Sequence, residues 1–164
     1  MLVSAVIAGL LAGVLLRGDL RRLAALRVRG WPVFLAAVAV RLVATAPLGP
    51  DPQHALYVAS LWLLFVVALV NVALPGARLA AVGIGFNALV VAASGGAMPV
   101  SVEAVRVVGN REPSDTLHRV AESTSSLQLL GDIIPVPFLG TYSVGDTLIA
   151  LGVFVLIVRT MKQA

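Results

Sequence analysis

Gly-Asp occurs twice in the stretch GDIIPVPFLGTYSVGD, so Asp132 and Asp146 stand fourteen positions apart, and Asp146 opens a long apolar run. An acid at the mouth of a segment built for hydrocarbon needs a partner. The sequence offers one in Arg41, embedded in the apolar run from about Trp31 to Leu48, and a neutral hydrogen-bonding residue in Asn87, at a comparable middle depth in the run Leu79 to Gly95. An intramembrane ion pair between Arg41 and Asp146, with Asn87 adding hydrogen bonds, is the chemistry these types suggest. Such a cluster either locks helices together or serves a function, holding a polar headgroup or relaying a proton. His118, Glu122 and Asp115 are metal-ligand types, but their spacing matches no ligand motif and His54 is the one other histidine. No metal or cofactor is expected. Cysteine is absent, which removes disulfides and thiolate chemistry.

The elements that must position these residues follow from composition. Charged residues make up 12% and hydrophobic ones 59% of the 164 residues, and the mean hydropathy is +0.99. Soluble domains carry about 25% charged residues, so the chain reads as a membrane protein, a single integral-membrane domain over 1–164. Five apolar runs appear, at about 1–16, 31–48, 55–74, 79–95 and 144–158, each read as a span. No basic residue precedes the first core, unlike a cleavable signal peptide, so the first helix is expected to be retained. Arg17, Arg21, Arg22, Arg27, Arg29, Arg78, Arg159 and Lys162 fall on one side of this threading. The other side holds only Arg106, Arg111 and Arg119, with most of the acids. The positive-inside rule then puts the N-terminus outside and the C-terminus inside. The pI near 10.7 therefore reflects membrane orientation, and no nucleic-acid partner is expected.

Depth arithmetic placed the polar groups. Arg41 lies ten residues after Trp31, roughly 15 Å along a helix, where an arginine costs about 3 kcal/mol; it needs a countercharge. Asp146 comes out roughly 20 Å, and Asn87 roughly 13 Å, from the inner interface by the same rise per residue. Pro47, Pro50 and Pro52 are expected to end the second helix in a short outside turn, and Pro75-Gly76 to make a tight inside turn. Arg17 to Gly30 alternates arginines with Leu20, Leu23 and Leu26, which suggests a short amphipathic piece at the headgroups. Small residues recur four apart at Ala5, Gly9 and Gly13 and at Ala80, Ala88 and Ala92 with Ile84 among them, faces suited to helix packing or to a second protein. The outside segment, 96–143, should form a partly helical cap: Ser101 to Val108 and Pro113 to about Thr124 read as short helices. Apolar Leu127 to Leu139, held extended by Pro135 and Pro137, reads as a lid or a membrane-surface strand.

The ordered set Asn87, Gly95-Gly96-Ala97-Met98-Pro99, His118, Leu130-Gly131-Asp132-Ile133-Ile134-Pro135 and Ser143-Val144-Gly145-Asp146 resembles an uncharacterised family of small bacterial integral-membrane proteins, classed only as a domain of unknown function. That resemblance implies the bacterial cytoplasmic membrane and no activity. Tyr142 to Asp146 followed by Leu148 to Gly152 is also similar to the last motif of lipoprotein signal peptidases. These are aspartyl proteases whose two carboxylates share a proton and activate water. Asp146 would match one carboxylate. The other normally follows Gly-Asn-x-x-Asp-Arg, whereas Asn87 is followed by Ala88, Leu89 and Val90; Asp132 would substitute if it folds back beside Asp146. The expected architecture is an all-helical five-span bundle with an extracytoplasmic cap. Its expected role is noncatalytic: an accessory subunit packed on other membrane proteins, or a binder of a lipid-like molecule among the membrane lipids. The alternative is a membrane-embedded aspartyl hydrolase using Asp132 and Asp146. Transport is disfavoured because no inverted repeat and no pair of broken helices is visible.

Overall fold

A computed structural model describes residues 1–109, 115–121, 128–137 and 139–162. Among them the chain forms helices α1 (Leu2–Leu15), α2 (Arg21–Ala24), α3 (Trp31–Val43), α4 (Pro50–Val70) and α5 (Ala77–Ala93). Strand β1 (Met98–Ser101), helix α6 (Val102–Val107), strand β2 (His118–Ala121), a 3-10 turn (Gln128–Leu130), strands β3 (Asp132–Val136) and β4 (Gly140–Ser143), and helix α7 (Val144–Lys162) follow. The protein is mostly helical. Two helices, α4 and α7, are long and apolar enough to cross a membrane; α1, α3 and α5 are apolar but shorter, with 14, 13 and 17 residues.

The five long helices pack as a row. Helix α7 packs on α1 and α5, α5 on α4, and α4 on α3. The α5–α7 contact is made by glycines seven residues apart on each helix, Gly76 and Gly83 against Gly152 and Gly145. A Cβ on Gly152 would stand 2.7 Å from the Gly76 carbonyl oxygen, and one on Gly145 would stand 2.6 Å from that of Gly83; only bare backbone permits this approach. The expected small face of α1 serves the same purpose, with Gly9 against Ile157 and Gly13 against Met161.

Three expectations about the helices are corrected. Helix α3 stops at Val43 rather than Leu48, so Arg41 lies in its last turn. Pro50 and Pro52 do not terminate the second span; they sit in the first turn of α4, where a missing N–H costs nothing. The arginine-rich segment contains a single helical turn, α2.

The cap, expected to be partly helical, holds the short helix α6 and a sheet that the all-helical expectation lacked. Its centre is a four-stranded sheet in the order β2-β1-β3-β4, with β1 parallel to β2 and β3, and β4 antiparallel to β3. Helix α5 reaches β1 through Gly95 and Gly96, both at positive φ, a conformation glycine adopts without strain. Strand β4 runs straight into α7. The expected helix from Pro113 to Thr124 is instead strand β2 over His118–Ala121; Pro113, Ser114 and Glu122 to Leu127, like Phe138, lie outside the described residues. The reading of Ser101 to Val108 holds, as α6 capped by the Ser101 side chain. Beneath the sheet, Ala44, Tyr57, Leu61, Ala88, Val90, Val91, Met98 and Leu117 form one apolar core tying α4 and α5 to the cap.

Candidate functional site

The polar residues singled out in the sequence converge in part at the cap end of α5 and α7. Ser143 and Asp146 begin α7 with a reciprocal pair of bonds. The Asp146 N–H donates to Ser143 Oγ at 2.9 Å and the Ser143 N–H donates to Asp146 Oδ2 at 3.2 Å. This is a capping box, with Ser at the cap and an acid three residues on. Asn87 closes the ring from α5: its Nδ2 donates to Asp146 Oδ1 at 2.9 Å, and its Oδ1 accepts from Ser143 Oγ at 2.9 Å. Ser143 is fully buried and Asn87 nearly so. Both oxygens of Asp146 therefore accept a bond, Oδ1 the one that ties α7 to α5 and Oδ2 the one that closes the local cap of α7. Gly145 makes room for this, because a Cβ there would overlap Asn87 Oδ1.

Asp132 faces this ring from the sheet. It is the register partner of Ser143 across β3 and β4, is 4% exposed, and its Oδ1 has no hydrogen-bond partner. Burial and then the negative charge of Asp146 push its carboxyl up to about 7; a hydrogen bond from Thr141 pulls it down and Asp115 adds a further upward push. No hydrogen bond joins Asp132 to Asp146 among the described residues.

A second chain of contacts leads from Asp132 to the surface. His118 Nε2 lies 4.0 Å from Asp132 Oδ2, and His118 Nδ1 is 2.7 Å from Asp115 Oδ1. Asp115 also accepts the Leu117 N–H at 3.0 Å. This segment is buttressed by the start of α4. The Thr116 hydroxyl donates to Gln53 Oε1 at 2.7 Å, and His54 Nε2 donates to the Thr116 carbonyl at 2.8 Å. A histidine between a buried and an exposed carboxylate can pass a proton or orient a charge. Glu122, grouped with His118 and Asp115 in the sequence, lies outside the described residues; among those described, no group of three acids or histidines could hold a metal ion.

Arg41 is not part of this centre. The expected ion pair with Asp146 is not formed: the guanidinium lies over the Tyr57 ring, 3.6 Å from its centroid, with Nη1 buried and unpartnered. The reason is the helix row. Arg41 in the last turn of α3 and Asp146 in the first turn of α7 lie toward the same end of the bundle, but helices α4 and α5 stand between α3 and α7. A desolvated cation over an aromatic face is worth about 2 kcal/mol, and that contact takes the place of the acid.

Fold and site together define a mostly helical, strongly apolar protein whose small sheet is fastened over the ends of its two central helices by a closed polar ring. A model of the family of unknown function DUF5317 matches residues 26–158; the chain belongs to that family. No curated protein and no solved structure matches it.

Proposed function

We propose that this chain is a multi-pass protein of the bacterial cytoplasmic membrane that binds a lipid-like molecule without chemically changing it. Five spans, the N-terminus outside and the C-terminus inside complete the reading. The observation that carries it is a cavity of about 230 Å³ among α3, α4, α5 and α7, at the end away from the cap, lined almost wholly by apolar side chains including Phe34, Val67, Ile84, Val153 and Leu156. The cavity is an open cleft, and concave, mostly apolar surfaces are the usual form of a site for an apolar ligand. Immersion is supported by large side chains left bare on the outer helices, such as Val3 at 72% and Leu15 at 82% on α1, and Trp31 at 62% and Leu42 at 66% on α3. A belt of this kind is stable against lipid and a liability in water.

Filling the cavity tests the reading. In mild detergent, the wild-type protein is expected to copurify with stoichiometric lipid seen by native mass spectrometry, and Ala68→Phe, on a residue lining the cavity, is expected to lose it while eluting at the same volume. Lipid retained equally by both forms would remove the site.

The aspartyl hydrolase is the second reading. It is favoured by the burial of Asp132 and its carboxyl near 7, the state of an acid poised for proton transfer. Weighing against it, both Asp146 oxygens accept bonds within the capping ring, and no hydrogen bond joins Asp146 to Asp132 among the described residues, as a proton-sharing pair requires.

A further inference from the structure

Three arginines adjoin the lining of the apolar cavity in the chain. Val28 and Ala77 line it; Arg27 and Arg29 flank the first and Arg78 follows the second, and all three are exposed. None has an acidic partner within 4.0 Å among the described residues. The Arg29 backbone is also held in register with the cavity. Asn71, 6% exposed and itself lining the cavity, takes the backbone of Arg29 in two bonds: the Arg29 N–H donates to Asn71 Oδ1 at 2.8 Å, and Asn71 Nδ2 donates to the Arg29 carbonyl at 2.8 Å. A third bond, from Nδ2 to the Val67 carbonyl at 2.7 Å, anchors Asn71 to α4. A buried asparagine spent on a loop backbone fixes where the flanking arginines begin.

We infer that the ligand is an anionic glycerophospholipid drawn from the leaflet at the end of the bundle away from the cap, with part of one acyl chain in the cavity and its phosphate among Arg27, Arg29 and Arg78. This deepens the lipid-binding reading and rests on it. The charge balance favours an anionic headgroup over a zwitterionic one. Arg17, Arg21, Arg22, Arg159 and Lys162 share this end of the bundle with these three arginines, and Asp19 is the one acid in the surrounding loops. Guanidinium forks suit phosphate oxygens. Three such charges near a headgroup contribute enough to separate anionic from zwitterionic lipid by at least about tenfold in affinity.

The test is competitive lipid binding to the full chain in mild detergent, read by native mass spectrometry. The probes are phosphatidylglycerol, phosphatidylcholine of the same acyl chains, and glycerol phosphate without chains. The expected result is that phosphatidylglycerol outcompetes phosphatidylcholine by about tenfold or more, and glycerol phosphate competes with neither. The preference is expected to fall toward unity in the Arg27→Gln, Arg29→Gln, Arg78→Gln triple variant and to survive in the matching triple lysine variant. High salt applied to the wild-type protein should narrow it as well, a readout independent of whether the glutamine variant folds. Equal binding of the two lipids by the wild-type chain, or a preference untouched by both glutamine replacement and salt, overturns the headgroup assignment while leaving lipid binding in place. Absence of bound lipid of either kind overturns both, and competition by glycerol phosphate alone overturns the role given to the acyl chain.

Discussion

At the scale of single residues, Asp132 is the group whose protonation reports on the fold. Its carboxyl is raised to about 7 by burial and by Asp146, against about 3.9 in an unfolded chain. The folded state thus holds the proton to higher pH than the unfolded state does. Stability from this group is full below about pH 4, declines as pH rises toward 7, and above 7 the buried charge is a net cost on the order of a few kcal/mol. Asp132→Asn should remove that slope. Measured by thermal unfolding in detergent, the variant is expected to gain on the wild type at pH 8 and to match it near pH 4; an equal difference at both values would mean that Asp132 is not buried as described. Ser143-Val144-Gly145-Asp146 before an apolar run is a capping-box pattern, visible without coordinates. Arg41 and Asp146 lie toward the same end of the bundle, but that α4 and α5 stand between their helices is encoded by no local pattern. Asn87, placed at middle depth by the rise per residue, does meet Asp146.

At the scale of elements, the α5–α7 seam decides whether the polar ring exists at all. Gly83 and Gly145 bring the two backbones together one turn from Asn87 and Asp146, and a side chain on Gly83 would meet the Gly145 carbonyl and Ile149. Gly83→Val is expected to push the helices apart, costing about 2 kcal/mol or more by overpacking. It should also loosen the cap, read as faster proteolysis between β1 and β4, whereas Gly95→Ala, where a Cβ meets nothing within 4 Å, should cost less and only through its positive φ. A cap digested at the same rate in Gly83→Val as in wild type would separate the seam from the sheet. The seven-residue glycine spacing, Gly76 to Gly83 and Gly145 to Gly152, is visible in the sequence, but nothing local says that the two pairs face each other. The strands were harder to see for a physical reason. β1, β2 and β4 span four residues each, too few for alternation to emerge; β3 lies within the segment expected to be extended, but its partners are not readable from it. Parallel pairing of β1 with β2 and β3 joins segments distant in sequence, and no local pattern encodes it.

At the scale of the whole molecule, two helices are long and apolar enough to cross a membrane, and the five proposed crossings rest on helix lengths that differ from the apolar runs. A hydrocarbon core of about 30 Å needs roughly 20 residues of helix. The 21 residues of α4 and the 19 of α7 meet this, and the 13 and 14 residues of α3 and α1 give about 20 Å each. Short helices can still cross where the bilayer thins or flanking residues reach the interface. For α1 and α3 the bare apolar surface favours immersion over lying in water. The row of helices gives the threading a sharp consequence, since α2 and the cap lie at opposite ends of it. Because the chain has no cysteine, single cysteines report without background. Arg119→Cys in the cap and Arg22→Cys in α2, both at exposed positions, distinguish the topologies when intact cells are treated with a membrane-impermeant maleimide. With five crossings and the N-terminus outside, Arg119→Cys should label in intact cells and Arg22→Cys only after permeabilisation. Labelling of both in intact cells would place the cap and the arginine-rich loop on one side. A bundle with its two ends in the same compartment cannot be spanning the bilayer, and the arginines that adjoin the cavity lining would then face no inner leaflet.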